Sequence, residues 1–294
     1  MKTQSIAAKT GMGAVELAVT DGDRAVRFYR DYVGLAPLPP SGSTIRLGAA
    51  GRELVVLHPD AQRPVVTRTS GLYHLAIVVP DRHELARVIG RLARLRWEQY
   101  PTDHVMTKAN YLWDPDGNGI EIYTETPEDG TMGMLNGTFG GWDKNGRPRS
   151  GREPIDLEEL FSHLREDDRL DAPMPEGTKM GHVHLHVADV NDALRFYHDL
   201  VGFDVMGHVP GVGFVSAGGY HHHLGLNEWA GHGARPAPPG AAGLRRFTVE
   251  LPSQRDLDDV LSRLEHGEVR VHEEAGGYAA SDPSANRVLF KTAA

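Results

Sequence analysis

Sixteen histidines and no cysteine set the terms for any chemistry in this chain. A thiolate nucleophile, a thiolate metal site and a disulfide framework are excluded, so a bound metal must take nitrogen and oxygen ligands. Several imidazoles stand in short apolar segments. His74 lies in LYHLAIVV, and His182, His184 and His186 alternate through GHVHLHV, where period-2 spacing puts them on one face of a strand. Glu121 in GIEIY faces away from Ile120 and Ile122, and a carboxylate turned into an interior is costly without a cation or donors to meet it. His104 and Tyr111 share the segment TDHVMTKANYLW, and His221-His222-His223 sits in GGYHHHLGLNEW. Read as a strand, that run turns His222 away from its two neighbours. Imidazole titrates near neutrality, so it can move protons as well as bind metals. Each of these residues also has a plain reading: a satisfied strand histidine, a salt-bridged glutamate, a polar strand end. Trp229 reads as core.

The elements that must position these residues come in repeats. Residues 13–35, GAVELAVTDGDRAVRFYRDYVGL, align without gaps to residues 181–203, GHVHLHVADVNDALRFYHDLVGF. Both open as an alternating strand. Asp21 and Asp189 follow at helix starts, where a carboxylate caps free N–H groups, and each helix stops at a Val-Gly. Phe28, Tyr29, Phe196 and Tyr197 read as the helix-to-sheet core. A weaker pair, 71–92 and 243–264, reads as strand, Pro-bearing turn and helix. It ends in the turns DPDGNGIEIY (114–123) and DPSANRVLFK (282–291). The chain is thus four β-α-β-β-β modules: 10–60 and 70–125 in an N-terminal half (1–125), then 178–232 and 241–292 in a C-terminal half (178–294). Residues 126–177 link them, Gly-rich and irregular at first, then a short amphipathic helix over IDLEELFSHL. Asn136-Gly137-Thr138 fits a glycosylation acceptor, but no secretory signal accompanies it.

Thirty-one Lys and Arg against forty Asp and Glu give a net charge of −9. That balance argues against nucleic acid and anionic membranes as partners. No apolar run approaches the roughly 20 residues that span a bilayer. The expectation is a cytoplasmic protein.

The segments GHVHLHVADVNDALRFYHDLVGF, GLYHLAIVVP, DPDGNGIEIY and GGYHHHLGLNEW resemble the vicinal oxygen chelate superfamily of glyoxalases, bleomycin-resistance proteins and extradiol dioxygenases. The closest resemblance is to its two-domain, catechol 2,3-dioxygenase-like branch. The resemblance covers nearly everything but the linker. It implies an α+β fold in which the four modules form two cup-shaped, partly open mixed β-barrels. It also implies metal ligands on first and last strands: a His from one module, and a His and a Glu from its partner. The matching positions are Ala14 in module 1, His74 and Glu121 in module 2, His182 in module 3, and Arg246 and Leu289 in module 4. Sequential pairing leaves neither cup with a full set. Crossed pairing, modules 2 with 3 and 1 with 4, gathers His74, Glu121 and His182 in one cup and leaves the other with none. Exchange between two chains gives the same set, and a homodimer is an open possibility.

Two imidazoles and one carboxylate leave open positions on Fe(II), the arrangement of non-haem iron oxygenases, and Mn(II) fits the same ligands. The resemblance then implies a small dihydroxy aromatic and O2 as partners. It implies His104 and Tyr111 as acid/base and substrate-contacting groups; strand alternation in the run His221–His223 separately points one imidazole, His222 or one of its neighbours such as His223, into a cup as a further one. A glyoxalase-like isomerase or lyase, or a metal-free small-molecule binder, are the alternatives on the same fold.

Overall fold

A computed structural model describes residues 5–40, 42–135, 138–274 and 276–293. Asn136 and Gly137 of the acceptor triplet lie outside them. The chain divides into two compact units, one of Met1–Ala18, Ala61–Tyr73 and Gly181–Ala294, the other of Val19–Asp60 and His74–Met180.

The first module runs β1 (Gly11–Ala18), α1 (Gly22–Arg27), β2 (Ile45–Ala49) and β3 (Arg52–His58), and the second β4 (Gly71–Val78), α2 (Arg82–Arg94), β5 (Tyr100–Asp103), β6 (Thr107–Trp113) and β7 (Gly119–Glu125). The linker carries β8 (Gly130–Leu135), β9 (Thr138–Asp143), β10 (Pro148–Arg149) and α3 (Leu157–Phe161). The third module runs β11 (Lys179–His186), α4 (Val190–Leu194), β12 (Asp204–Val209), β13 (Val212–Ser216) and β14 (Leu224–Asn227). The fourth runs β15 (Gly243–Leu251), α5 (Gln254–His266), β16 (His272–Glu274), β17 (Gly277–Ser281) and β18 (Arg287–Thr292). This mixed α+β architecture, mostly strands in curved sheets, is the vicinal oxygen chelate fold. Among the described residues no helix is long and apolar enough to cross a membrane.

The repeats reuse the same local physics. Asp21 caps α1 by accepting from the Arg24 amide, and Asp189 caps α4 by accepting from the Asn191 and Asp192 amides. Both helices continue into a wider π turn and end at a glycine in the left-handed region, Gly34 at φ +98° and Gly202 at φ +99°. The π turns bury Tyr29 and Tyr197 completely. Tyr29 donates its hydroxyl to Asp114 at 3.2 Å, and Tyr197 donates to Asp282 at 3.1 Å. Each aspartate opens the Asp-Pro turn and also accepts two turn amides and an asparagine side chain. Burial pushes both carboxyls above their ordinary value, although the asparagine and backbone donors oppose it. These turns aim the last strand of modules 2 and 4. Asp114→Ala strands four donors at once, so it is expected to destabilise the protein by about 3 kcal/mol or more in urea denaturation. A loss under about 1 kcal/mol would contradict this role for the turn.

The linker differs from its expected irregular form. β8, β9 and β10 build a three-stranded antiparallel sheet. Its glycines mark close approach: a Cβ on Gly130 would lie 2.0 Å from the Trp142 carbonyl and 2.7 Å from Val105, and one on Gly141 3.0 Å from Val105.

In the first unit, β1 pairs antiparallel with β15, placing Glu16 opposite Arg246. This is the partnership that crossed pairing requires of modules 1 and 4. The Arg246 Nε donates to Glu16 at 2.6 Å, and a second guanidinium nitrogen donates to Glu274, which also meets Arg287. Ala14 and Leu289 are buried beside these strands. A guanidinium already held by two carboxylates stands where the resemblance implies a ligand, and it offers a metal no lone pair.

Candidate metal centre

In the second unit β4 lies parallel to β7 with Ala76 opposite Glu121, and β6 lies antiparallel to β7 with Tyr111 opposite the same Glu121. Alternation therefore puts His74, Ala76, Glu121 and Tyr111 on one face, while Ile120 and Ile122 are buried on the other. His74 is 4% exposed and Glu121 3%, and the His74 Nε2 stands 3.0 Å from the Glu121 Oε2. On the same strands Ala76, Val78, Ala109 and Tyr123 form a buried cluster, with Tyr111 packed against it. Small and apolar neighbours keep water from the carboxylate, so its charge is met by what stands beside it.

Tyr111 connects this pair to His104. The Tyr111 ring lies 5.4 Å from that of His74 and 5.8 Å from that of His104. The His104 Nδ1 is 2.5 Å from the Gly151 carbonyl, and its Nε2 is 2.8 Å from the Tyr111 hydroxyl. A carbonyl can only accept, so Nδ1–H donates to Gly151, and of the two neutral tautomers this selects the one whose Nε2 accepts from the Tyr111 O–H. The linker thus fixes the tautomer, a link across 47 residues that the sequence pattern does not advertise.

The turn holding His104 is strained. Val105, β-branched and buried, sits at φ +67°, a conformation costing on the order of 1–3 kcal/mol. Its amide donates to Asp103 and its carbonyl accepts from the Thr126 hydroxyl and the Lys108 ammonium. Lys108 also pairs with Asp103 at 2.8 Å and Asp129 at 2.7 Å. Burial works to raise the Asp129 carboxyl, but Lys108 and Arg82 outweigh it and hold the group below its ordinary 3.8. A depressed carboxyl stabilises the fold fully above the unfolded value and loses that contribution as pH falls through the folded one. Asp129→Asn is therefore expected to flatten the fall in stability below about pH 4, measured by denaturant titrations at several pH values. An unchanged slope would show that this ion pair does not hold the turn.

In the first unit, β11 carries His182, His184 and His186 on one face, with His182 2% exposed. Opposite His184 stands Gly225, where a Cβ would lie 2.7 Å from the imidazole. His186 bonds Asn227 at 2.7 Å, and burial holds it below the ordinary histidine value. The run His221–His223 is a loop before β14 rather than a strand, so the expected alternation does not apply. His221 and His222 both gather at His182, with ring centroids at 5.9 and 4.2 Å. His223 turns elsewhere. It is buried between Phe203 and Tyr220, and its Nδ1 accepts from the Ala217 amide at 3.2 Å and meets the Ser216 hydroxyl at 2.9 Å. That bonding sets the loop. Trp229 is not core: it is 51% exposed and packs edge-on to Tyr73.

A buried imidazole and a buried carboxylate 3.0 Å apart suit a divalent metal with mixed nitrogen and oxygen preference. Residues 11–122 and 179–290 match the Glyoxalase/Bleomycin resistance protein/Dioxygenase superfamily. The chain belongs to that superfamily. Within it, the catechol-2,3-dioxygenase of Bacillus subtilis (strain 168) is 37% identical over 284 residues, spanning 95% of this chain and 96% of that protein. Among solved structures, one from B. subtilis subsp. subtilis str. 168, provisionally described as a dioxygenase, aligns at TM-score 0.64 and 14% identity over 98% of this chain and 86% of that one. Glyoxalase I from Zea mays aligns at TM-score 0.56 and 14% identity over 97% and 92%. At such identities these structures speak to the fold alone. Arg246, at a position where the sequence resemblance leads one to expect a ligand, is paired with Glu16 and Glu274.

Proposed function

We propose that this protein is a metal-dependent extradiol-type dioxygenase that opens a catechol-like dihydroxy aromatic with O2. His74, Glu121 and His182 hold the metal, Fe(II) being the best fit to two imidazoles and one carboxylate, with Mn(II) compatible. The observation that carries this reading is the buried face on which His74 and Glu121 stand 3.0 Å apart beside a Tyr111–His104 pair. The extended identity to a catechol-2,3-dioxygenase supports it.

Held there, the metal would supply the redox chemistry toward O2 and the positive charge that attracts the diol oxygens. The chain supplies the rest. One carboxylate against a dication leaves net positive charge, which favours an anionic diolate. The Tyr111 ring packs against His74 and its hydroxyl meets His104, so it can accept from a diol hydroxyl. His104 Nε2, unprotonated in the tautomer fixed by Gly151, accepts a proton through Tyr111 and returns it later, general acid–base work for which imidazole is suited. His222 is the further proton carrier of the histidine run, while His223 holds the loop. Ala76, Val78 and Ala109 keep the face dry.

Anaerobic loading with Fe(II) followed by catechol and isotopically labelled O2 tests this. One O2 consumed per catechol, with both atoms in the product, is expected. Catechol turnover without O2 consumption, or none by the iron-loaded protein, would overturn it.

A further inference from the structure

The histidine run does more in the structure than the proposed reaction uses. His182, His221 and His222 place one nitrogen each within 4.8 Å of one another, and the three belong to a single unit. His182 is buried at the base, while His221 and His222 are partly exposed and so reachable by an ion from solvent. The rings are packed rather than splayed: His221 and His222 lie at 4.6 Å, Tyr220 sits 4.1 Å from His221, and Phe214 sits 5.0 Å from His222. The two loop imidazoles follow Gly218 and Gly219, both in the left-handed region at φ +62° and +77°. Gly218 packs against the Ala8 carbonyl, where a Cβ would lie 2.3 Å away, so the backbone of the loop is held and rotation of the imidazoles brings their nitrogens to the roughly 2.0–2.1 Å at which they bind one ion.

The geometry points to a three-imidazole metal site at His182, His221 and His222 that takes a borderline divalent cation such as Co(II), Ni(II) or Zn(II). Three neutral nitrogens without a carboxylate suit those ions better than Fe(II) or Mn(II), which gain more from an oxygen ligand. Three protein ligands leave a fourth position for water, as in open zinc sites. The set needs neither His74 nor Glu121, so it stands whether or not the dioxygenase reading holds. Where that reading does hold, both sets claim His182, and Zn(II) in the three-imidazole set withdraws a ligand from iron.

Co(II) is the probe, because its visible absorption reports coordination directly. In the full chain carrying His74→Ala and Glu121→Ala, titration is expected to show one tightly bound Co(II) with a nitrogen-ligand spectrum. Adding His221→Gln and His222→Gln is expected to weaken that binding by more than about 100-fold, beyond what outer-shell changes cost. Circular dichroism on each variant verifies the fold, and His221→Gln alone, a milder change, is expected to give an intermediate loss. Equal Co(II) affinity with and without His221 and His222, or no binding by the first variant, overturns the proposal. Neither readout involves iron or O2, so this site and the dioxygenase activity fail or survive separately.

Discussion

Replacing Glu121 with Ala is expected to give a folded protein that retains no iron and consumes no O2 with catechol. The carboxylate is 3% exposed and stands 3.0 Å from His74 among apolar side chains. It is the one anionic ligand in the proposed set, so its loss removes both a bond and the charge that offsets the metal. The drop in metal affinity should exceed the roughly 10–100-fold that outer-shell substitutions cost. Stability separates this from unfolding. In the metal-free protein Glu121→Ala loses the contact with His74 and also the cost of burying a carboxylate, so its melting temperature is expected to change little. A variant that melts far earlier, or keeps its iron, would assign Glu121 to the fold instead.

The second large effect is expected at His104. His104→Ala should lower kcat by about 10²–10⁴, the range of general acid–base catalysis, while iron content stays at one per chain. Tyr111→Phe should cost less, because the ring and its packing remain. The double variant should fall short of the product of the two losses, since both residues act in one relay. Measured kcat, KM and bound iron decide it. Full activity in His104→Ala would remove the relay from the mechanism, and lost iron would make His104 a support for the metal.

The repeats made much of this fold legible. Asp21 and Asp189 cap helices, Gly34 and Gly202 end them, and Asp114 and Asp282 open matched turns, all local effects written within a few residues. Glu121 was legible because alternation with Ile120 and Ile122 fixes its face. What stayed hidden depends on contacts far along the chain. Nothing near His104 signals that Gly151 fixes its tautomer. Gly130 and Gly141 read as irregular linker, yet they are glycines because Val105 and Trp142 press against them; composition alone does not separate close packing from looseness. The histidine run depends on whether it is strand or loop: a strand separates His221 from His222, and the loop brings both to His182 and sends His223 to Ser216. The emptied positions Ala14, Arg246 and Leu289 were visible as losses. Their replacement by an ion pair from Arg246 to Glu16 and Glu274 needed the β1–β15 register.

The central claim is that His74, Glu121 and His182 grip one iron. Crystals of the Fe(II)-loaded protein, with anomalous data collected on both sides of the iron edge, test it most directly. A single strong peak is predicted, roughly 2.0–2.3 Å from a nitrogen of His74, a nitrogen of His182 and an oxygen of Glu121. A peak bonded to other side chains, or none at these three, would contradict it.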